Sequence, residues 1–578
     1  MQDAYVKVGR KELRSVLGKS SGLFWAVGLF SLFANLLMLT GPIYMLQVYD
    51  RVLGSGSVET LIALSMLVVF LYSIMGILDY TRGRVMARVG ARFQSDLDRR
   101  VFDAVIRKSA VAPDVKTQTG LADLESVQRL ITSPVLMAFF DMPWTPVFFA
   151  GIFIFHPWLG YLALVGGAVL ILITIANQML SRAPQEQANA SSHRASVMSD
   201  QIRTEAEMVQ SMGMRDAAFS RWQKQRGLAL SQQVSATDVG GTFTSMTKSI
   251  RLFLQSAMLG LGAYLVLQNE LTPGAMIAAS ILLGRALAPV EMALNQWPIA
   301  QRAKKGWENL CELLGAVSEQ APRTPLPKPR AMLVAKSLTV VPPGEKQASL
   351  KSINFEVKPG QAVGVIGPSG AGKSTLARTL TGVWGPAGGS IRLDAAALHQ
   401  YEPAVLGKHI GYLPQRVQLF DGTIAENIAR LDEAPDAEKV VAAAKAAAAH
   451  EMILEFPEGY DTPIVSGQVR LSGGQMQRIG LARALYDDPV IVVLDEPNSN
   501  LDNVGSQALN TAIRKLKEEG RSVLIMAHRP AAIQECDTLM VLDGGMRMAF
   551  GPKDEVLQGM VKNHAQIKAA PTAAGGVS

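Results

Sequence analysis

One stretch of this sequence has the residue types and spacing of a phosphate-binding loop. The run Gly367-Pro-Ser-Gly-Ala-Gly-Lys-Ser374 fits the pattern G-x-x-x-x-G-K-[ST] and follows an apolar segment, 362–366. Glycines let backbone N–H groups surround a polyphosphate, and the helix that follows presents its positive N-terminus. Lys373 is expected to reach the β- and γ-phosphates, and Ser374 to ligate Mg²⁺. The predicted phosphate-binding residues are Gly367, Pro368, Ser369, Gly370, Ala371, Gly372, Lys373, Ser374 and Thr375.

A second apolar run, 490–494, ends in the two carboxylates Asp495 and Glu496. Asp495 is suited to a further contact with the metal, and Glu496 is suited to polarising the attacking water. Carboxylates after a strand also serve as plain helix N-caps. The phosphate-binding loop in the same half of the chain favours the catalytic interpretation.

Three more positions fit the same chemistry. A second anion-binding helix N-terminus is predicted where two glycines and a hydroxyl open a helix; its residues are Leu471, Ser472, Gly473, Gly474 and Gln475. Because one chain holds two such sites, we expect one nucleotide to be held between two protomers. Gln415 is an amide able to touch Mg²⁺ and the attacking water. His528, after the strand 522–526, is placed to hydrogen-bond the γ-phosphate.

Two kinds of element must position these residues. In the second half of the chain, short apolar strands alternate with helical patterns, which is typical of an α/β domain. Before about residue 300 the pattern changes to long apolar stretches, several of which match the roughly 20 residues that cross a bilayer. These six predicted spans are 23–48, 61–78, 134–155, 159–175, 252–267 and 276–294.

Composition and charge agree with a membrane protein that has a soluble part. Apolar residues make up 48% and charged residues only 18%, against about 25% charged in an average soluble protein, which excludes intrinsic disorder. Basic residues concentrate in the N-terminal segment and in the loops 81–133 and 181–245, so these parts and both termini are predicted to be cytosolic. The net charge of +7 follows from this topology, and nucleic-acid binding is not predicted. Two cysteines, Cys311 and Cys536, give neither a disulfide framework nor a metal spacing, which indicates a reducing compartment.

The predicted fold class is therefore a membrane all-α domain of six helices followed by an α/β phosphate-loop nucleotide-binding domain. Residues 1–20 are predicted to be a cytosolic segment, and 21–315 the transmembrane domain with its two long cytosolic loops. A Pro-rich linker, 316–330, leads to the nucleotide-binding domain, 331–562. The small-residue tail, 563–578, is predicted to be disordered.

Residues 331–560 resemble the nucleotide-binding domain of ATP-binding cassette (ABC) proteins. The resemblance includes the phosphate loop, the glutamine Gln415, the signature 471–475, the Asp495-Glu496 pair, His528 and the D-loop residues Ser499, Asn500, Leu501 and Asp502. Six spans followed by one such domain resemble an ABC exporter half-transporter. The finer resemblance, carried by 39–51, 139–144 and 494–502, is to type I secretion exporters of the protease and lipase kind.

This resemblance implies an ATP hydrolase coupled to transport, with ATP and Mg²⁺ as cofactors. It implies that the catalytic residues are Glu496, His528 and Gln415, and that the metal is held by Ser374, Gln415 and Asp495. It also implies a homodimer in the bacterial inner membrane, in contact with membrane lipid, a periplasmic adaptor (membrane-fusion) protein and an outer-membrane channel. The cargo would be a secreted protein, exported unfolded and led by a C-terminal signal.

Two other function classes compete with this prediction. An ABC lipid or drug flippase shares the six-span architecture but lacks the secretion-type segments around 48–51 and 139–144. A soluble cassette ATPase acting on DNA or the ribosome needs no membrane spans, so the first 300 residues argue against it.

The sequence departs from the ABC pattern at two places. No aromatic residue lies at Val341-Pro-Pro343, where the family has one that stacks on adenine, and Ser466 stands where many exporters carry an acidic residue. Two carboxylates in the predicted spans, Asp141 and Glu291, have two open interpretations. They line a polar pathway, or their helices extend beyond the bilayer and both groups are hydrated.

Overall fold

The computed structural model describes residues 2–111, 119–319, 323–465, 471–499, 501, 503–528 and 530–559. The chain folds as two compact units. The first is helical and is built from residues 2–108 and 119–319, and the second is built chiefly from residues 323–559. Ser466, Asn500, Asp502 and the tail 563–578 lie outside the described residues.

The first unit contains only helices among its described residues. Its α-helices are α1 (Gln2–Gly18), α2 (Ser21–Leu37), α3 (Thr40–Gln47), α4 (Leu53–Ser55), α5 (Val58–Val111), α6 (Gly120–Ile131), α7 (Pro134–Asp141), α8 (Thr145–Phe155), α9 (Pro157–Thr204), α10 (Ala206–Ser211), α11 (Arg215–Leu267), α12 (Pro273–Asn295) and α13 (Trp297–Ala316). A π-helical turn, Val48–Val52, joins α3 to α4, and a 3₁₀ turn, Met142–Trp144, joins α7 to α8.

Five helical stretches of the described residues are long and apolar enough to cross a membrane: Ser21–Ser55, Val58–Val111, Pro134–Phe155, Pro157–Thr204 and Arg215–Leu267. The apolar part of α12, Pro273–Pro289, is shorter. These segments coincide with the six apolar stretches of the sequence. Three of the helices run far beyond a bilayer, since 54 residues in α5 extend over about 80 Å. The loops 81–133 and 181–245 are thus largely continuations of spanning helices.

Two apolar cores hold this unit together. One lies among α1, α5, α6 and α13 and includes Leu13, Phe93, Leu97, Leu124 and Leu310. The other lies among the spans α8, α9, α11 and α12 and includes Ile152, Leu170, Met258 and Leu283. The chain has packed cores because each of these helices carries apolar residues on its inward stripe.

The second unit is an α/β fold. Its strands are β1 (Leu333–Val340), β2 (Leu350–Val357), β3 (Ala362–Ile366), β4 (Gly388–Leu393), β5 (Ala396–Ala397), β6 (Ile410–Leu413), β7 (Gly422–Thr423), β8 (Pro463–Ile464), β9 (Ile491–Asp495), β10 (Ser522–Ala527), β11 (Thr538–Asp543) and β12 (Met546–Pro552). Its helices are α14 (Lys373–Leu380), α15 (Pro403–His409), α16 (Ile424–Ile428), α17 (Ala437–Ala446), α18 (His450–Leu454), α19 (Gly473–Leu485), α20 (Asn503–Glu518) and α21 (553–559).

A six-stranded sheet in the order β12-β11-β3-β10-β9-β6 forms the centre of this unit. All its neighbouring pairs are parallel except β11 with β12. Alternate residues of β10 enter opposite cores: Val523 and Ile525 point to one, and Leu524 and Met526 point to the other. Burial on both faces explains why these strands are continuous apolar runs. A four-stranded antiparallel sheet, β2-β1-β4-β5, and the pair β7-β8 complete the unit.

The Pro-rich segment before β1 lies against this second unit. The guanidinium of Arg323 donates to the carbonyl of Tyr401, and the Ser522 hydroxyl donates to the carbonyl of Ala331 at 2.6 Å. Lys328 lies 3.5 Å from the Asp488 carboxylate. The described part of the predicted linker, 323–330, is therefore attached to the nucleotide-binding fold.

Candidate functional site

Four strands of the six-stranded sheet bring the candidate residues to one edge. In the order β3-β10-β9-β6 all neighbours are parallel, so their carboxyl ends meet at the same side. The phosphate-binding loop follows β3, His528 follows β10, Asp495 ends β9 and Gln415 comes two residues after β6. Sheet topology alone therefore brings together residues that span more than 150 positions of the sequence.

The loop between β3 and α14 has the backbone that phosphate binding requires. Gly370 and Gly372 adopt positive φ angles of 80° and 100°, which side chains rarely tolerate. A Cβ on Gly372 would lie 2.8 Å from the carbonyl oxygen of Ser349. The loop therefore depends on glycine here, and α14 begins immediately after it at Lys373 with its N-terminus towards the loop.

Lys373 is buried inside this loop. Its Nζ donates to the carbonyl oxygens of Gly367 at 2.8 Å and of Pro368 at 2.9 Å. Burial lowers the pKa of the Lys373 ammonium, while the charges of Glu496 and Asp495 act in the opposite direction. The ammonium is thus held within the loop, next to the position that a polyphosphate would take.

Asp495 is the residue best suited to a metal contact. Its side chain is 3% exposed and its Oδ1 has no hydrogen-bond partner among the described residues. Burial raises the pKa of the Asp495 carboxyl, and the hydrogen bond from Ser374 opposes that rise. An open buried carboxylate oxygen beside a hydroxyl fits Mg²⁺, which takes one or two carboxylates plus phosphate oxygens. No cluster of three or more His, Cys, Asp or Glu side chains fit for a metal occurs in the described part of the chain.

Gln415, Glu496 and His528 come into direct contact. The Gln415 amide donates to Oε2 of Glu496 at 3.0 Å, and Nε2 of His528 lies 3.0 Å from Oε1 of the same carboxylate. Glu496 has a positive φ of 52°, a sparsely populated backbone conformation that clusters at active sites. Its backbone N–H donates to the carbonyl of Met526 at 2.9 Å. A carboxylate fixed from both sides in this way is suited to orienting and deprotonating a water molecule.

A residue that no sequence pattern predicts supports this carboxylate. Gln477 in α19 is 3% exposed, and its amide donates to the backbone carbonyls of Glu496, at 3.4 Å, and of Pro497. A glutamine inside a helix carries no signal of its own in the sequence. Its role arises only because α19 packs beside the end of β9.

The signature segment forms a capped helix start, separate from the phosphate loop. The Ser472 hydroxyl accepts from the Gln475 N–H at 3.2 Å, and the Gln475 side chain accepts from the Ser472 N–H at 2.8 Å. This capping box fixes the entry of α19. No hydrogen bond or ion pair joins residues 471–475 to residues 367–375 among those described. Within one chain, the two predicted anion sites are not brought together.

Two further predicted features are only partly visible. In the D-loop, the Ser499 N–H donates to the Glu496 carbonyl at 3.2 Å and Leu501 packs against the apolar core, while Asn500 and Asp502 lie outside the described residues. At the predicted adenine position, Pro342 is buried and its carbonyl accepts from the Glu345 N–H at 3.0 Å. The turn after β1 thus carries no aromatic ring.

The secretion-type segments occupy defined places in the helical unit. Asp50, in the π-helical turn, accepts from the Gly274 N–H at 2.9 Å and from the Thr272 hydroxyl at 2.7 Å. It therefore caps the N-terminus of α12 from a position 224 residues away. π-Helical turns within α-helices often mark functional sites.

The two carboxylates in the spans are both paired. Asp141 accepts from Asn35 at 2.7 Å and from the buried guanidinium of Arg82 at 2.8 Å. Glu291 lies 2.8 Å from Arg251. Neither group is simply hydrated, and neither presents a free charge to a pathway, because each is neutralised within the unit.

Comparison with known proteins gives the context for both units. The family model described as "ABC transporter" matches residues 350–499, and "ABC transporter transmembrane region" matches residues 24–288. The chain is 42% identical over 94% of its length to the type I secretion system ATP-binding protein PrsD of Rhizobium meliloti (strain 1021), covering 94% of that protein. It is 27% identical over 93% of its length to the leukotoxin translocation ATP-binding protein LktB of Mannheimia haemolytica, covering 76% of that protein.

A solved structure shares the fold. A bacterial Atm1-family ABC exporter with ATP bound superposes with a TM-score of 0.76 at 22% identity, covering 96% of this chain and 99% of that one. At this identity the likeness concerns architecture. It extends over both units of the chain.

Proposed function

Since this chain belongs to the ABC transporter family, we propose that two copies of it form an ATP-driven exporter that moves an unfolded polypeptide by type I secretion. The observation that carries the proposal is the 42% identity over 94% of the chain with a type I secretion ATP-binding protein. The chain is a multi-pass membrane protein, and its ATP-binding region makes it an ATPase coupled to transport.

The sheet edge supports a division of roles in hydrolysis. The N–H groups of 367–375 and the Lys373 ammonium bind the phosphates, and Ser374, Asp495 and Gln415 would hold Mg²⁺. When bound, Mg²⁺ supplies charge neutralisation on the phosphate oxygens. Glu496 accepts a proton from the attacking water, while Gln415 and His528 hold its carboxylate from opposite sides. Because His528 and Gln415 are both more exposed than Glu496, they remain free to touch the nucleotide.

The separation of the two anion sites supports a head-to-tail homodimer. Each phosphate loop would face the capped helix of the partner, whose Ser472 and glycines present backbone N–H groups to the γ-phosphate. The test mixes chains carrying Lys373→Ala with chains carrying Ser472→Ala. In a head-to-tail dimer each mixed pair retains one intact composite site.

The expected result is ATP turnover in the mixture well above that of either variant alone. The matched control mixes the Lys373→Ala chain with a chain carrying both substitutions, and no pair in that mixture retains an intact composite site. Turnover in the first mixture no higher than in the separate variants would contradict the composite site.

The topology supports a location in the inner membrane with both termini in the cytosol. The positive-inside distribution of the loops and the cytosolic chemistry of ATP favour this orientation. We propose that the periplasmic ends meet an adaptor protein and that an outer-membrane channel completes the path, as the type I secretion relationship implies. Labelling of a cysteine placed at position 578 by an impermeant thiol reagent in intact cells would contradict cytosolic C-termini.

The cargo is proposed to pass as an unfolded chain led by its C-terminal signal. A folded domain of 100 residues has a radius of gyration of about 13 Å, which is wide for a gap among twelve helices. The test fuses a tightly folding domain ahead of the signal of a candidate cargo, and the expected result is arrest. Secretion of the fusion without delay, or ATPase stimulation by phospholipid alone, would favour a different transporter class.

A further inference from the structure

The helix α12 has two unlike faces. One face is packed against the neighbouring spans; its buried residues are Ala275, Ala278, Ala279, Leu282, Leu283, Ala286 and Leu287. On the other face Gly284 is half-buried, and Arg285 and Ala288 are exposed. A Cβ placed on Gly284 would meet no atom within 4 Å. Between Gly284 and Ala288 the open face therefore combines small residues with one cation.

Arg285 lies at membrane depth and is not neutralised. It is twelve residues into α12, or about 18 Å along the helix axis, within a hydrocarbon layer of about 30 Å. Among the described residues it makes no hydrogen bond or ion pair. The carboxylate nearest in sequence, Glu291, is already paired with Arg251. In the sequence Asp141 and Glu291 stand out as carboxylates of the predicted spans, whereas nothing marks Arg285.

The open face of α12 does not resemble a surface made for lipid. Along the membrane part of α5, the exposed residues are large and apolar and include Met66, Val69, Phe70 and Ile77. On α12 the stretch from Gly284 to Ala288 exposes no large apolar side chain; Ile281, one turn before it, is half-buried, and Met292, one turn after it, is exposed. A guanidinium facing lipid at this depth is costly, and such residues almost always face a bundle interior or a water-filled path.

We propose that Arg285 lines the path of the exported polypeptide and binds carboxylates of the passing chain. This inference rests on the proposed export function. The guanidinium offers five N–H donors in a fixed planar fork, which matches a carboxylate in two contacts. A chain that must keep moving needs contacts that form and release in turn, and Arg285 of each protomer provides such a contact. Arg285 is then a determinant of cargo choice that favours acidic segments.

The first test compares two unstructured peptides, one rich in Glu and its counterpart with Gln at the same positions. The measured quantity is the concentration of each that half-maximally stimulates ATP turnover by the reconstituted homodimer. For wild type the Glu peptide should act at an at least about tenfold lower concentration, the worth of one charge-assisted hydrogen bond. Arg285→Gln should bring the ratio of the two half-maximal concentrations close to one, and Arg285→Lys should retain part of the preference for the Glu peptide.

The control variant is Arg129→Gln, which removes an exposed basic residue of α6 outside the spans and should leave the ratio unchanged. Both peptides are amidated at the C-terminus, so that the preference for the Glu peptide reports its side-chain carboxylates alone. A ratio near one in wild type, or an unchanged ratio in Arg285→Gln, would overturn the proposal.

The second test asks whether position 285 faces water or lipid. Cysteine is placed there by Arg285→Cys, and at a lipid-type position of α5 by Val69→Cys; the native Cys311 and Cys536 are buried. A charged methanethiosulfonate should label the first position and spare the second. Labelling of position 285 only by a lipid-soluble maleimide would show that this position faces the lipid hydrocarbon, and the proposal would be wrong. If neither peptide stimulates wild type but phospholipid does, the export function itself fails.

Discussion

The two units use their polar residues in opposite ways. In the nucleotide-binding unit, polar groups at the sheet edge are left open for a ligand, as at Oδ1 of Asp495 and at the N-terminus of α14. In the helical unit, the two carboxylates of the spans are satisfied within the protein, as where Asp141 meets Arg82 and Asn35. Arg285, by contrast, has no partner among the described residues.

This difference follows from the solvent each unit faces. Water can hydrate an unpaired polar group when no ATP is bound, so the soluble unit tolerates an unoccupied polar binding site. A bilayer offers no such partner, so a charge in the spans must be paired within the protein or face a path. An unpaired group is therefore informative in both units, but it points to a cofactor in one and to a transport path in the other.

The largest effect is expected at Glu496, the proposed proton acceptor at the edge of the six-stranded sheet. Glu496→Gln keeps the contact geometry with Gln415 and His528 but removes the proton acceptor, so hydrolysis should fall by about 10²–10⁴-fold. Nucleotide binding should persist, because 367–375 are untouched. Single-turnover hydrolysis and ATP binding in detergent measure the two effects, with Glu519→Gln, an exposed glutamate, as the control. Near-normal turnover of Glu496→Gln would show that another residue is the catalytic base, and His528→Ala would then be tested first.

A comparable effect, on stability instead of turnover, is expected from breaking the buried pair in the spans. The Arg82 side chain is 7% exposed and that of Asp141 is 17% exposed. Arg82→Met alone leaves the carboxylate without its cation and should lower the free energy of unfolding by about 3–5 kcal/mol. Thermal unfolding in detergent micelles measures the loss.

The double variant Arg82→Met with Asp141→Leu sharpens this prediction. Replacing both partners with apolar residues should restore most of the stability, because the one carboxylate that still lacks the Arg82 cation is Asp79, whose side chain is 40% exposed and can be hydrated. The exposed pair of Arg129 and Glu125 serves as the control, and Arg129→Met should change stability by less than about 1 kcal/mol. A double variant as unstable as Arg82→Met would show that the loss came from packing.

A smaller effect is expected at the long-range cap of α12. Asp50→Ala removes the acceptor for the Gly274 N–H and the Thr272 hydroxyl, and lost caps cost about 0.5–2 kcal/mol. Asp50→Asn retains one carbonyl oxygen and should lose less. The melting temperature in detergent ranks the three proteins, and an equal loss for the two variants would indicate that charge, and not the cap, matters.

The smallest effect is a pH dependence in the unliganded protein. The folded-state pKa of Asp495 is raised above its ordinary value of 3.8 by burial. The ionised carboxylate therefore destabilises the folded protein above the raised pKa, and this cost disappears as the pH falls towards 3.8. Asp495→Asn should be more stable than wild type at neutral pH without Mg²⁺ and nucleotide, with a difference that shrinks on acidification. If the stability difference between Asp495→Asn and wild type grew on acidification, the folded-state pKa of Asp495 would be lowered instead of raised.

Much of the ATP site was predictable because its residues follow a topological rule. The glycine spacing of 367–374 predicts a loop before a helix, and the carboxyl ends of parallel strands meet at one edge. The contact of Gln415 and His528 with Glu496 is consistent with that rule. Gln477 has no such rule, since its contact depends on how α19 packs against the end of β9.

In the helical unit the sequence determined which segments are apolar enough to cross a membrane, because hydropathy is a local property of the chain. It did not determine the partners of Asp50, Asp141 or Glu291, which lie 224, 59 and 40 residues away. Those pairs arise from the rotation and tilt of whole helices, which depend on packing against neighbours. For the same reason, only the tertiary structure showed that Arg285 lies on the open face of its helix while Ala286 and Leu287 are buried.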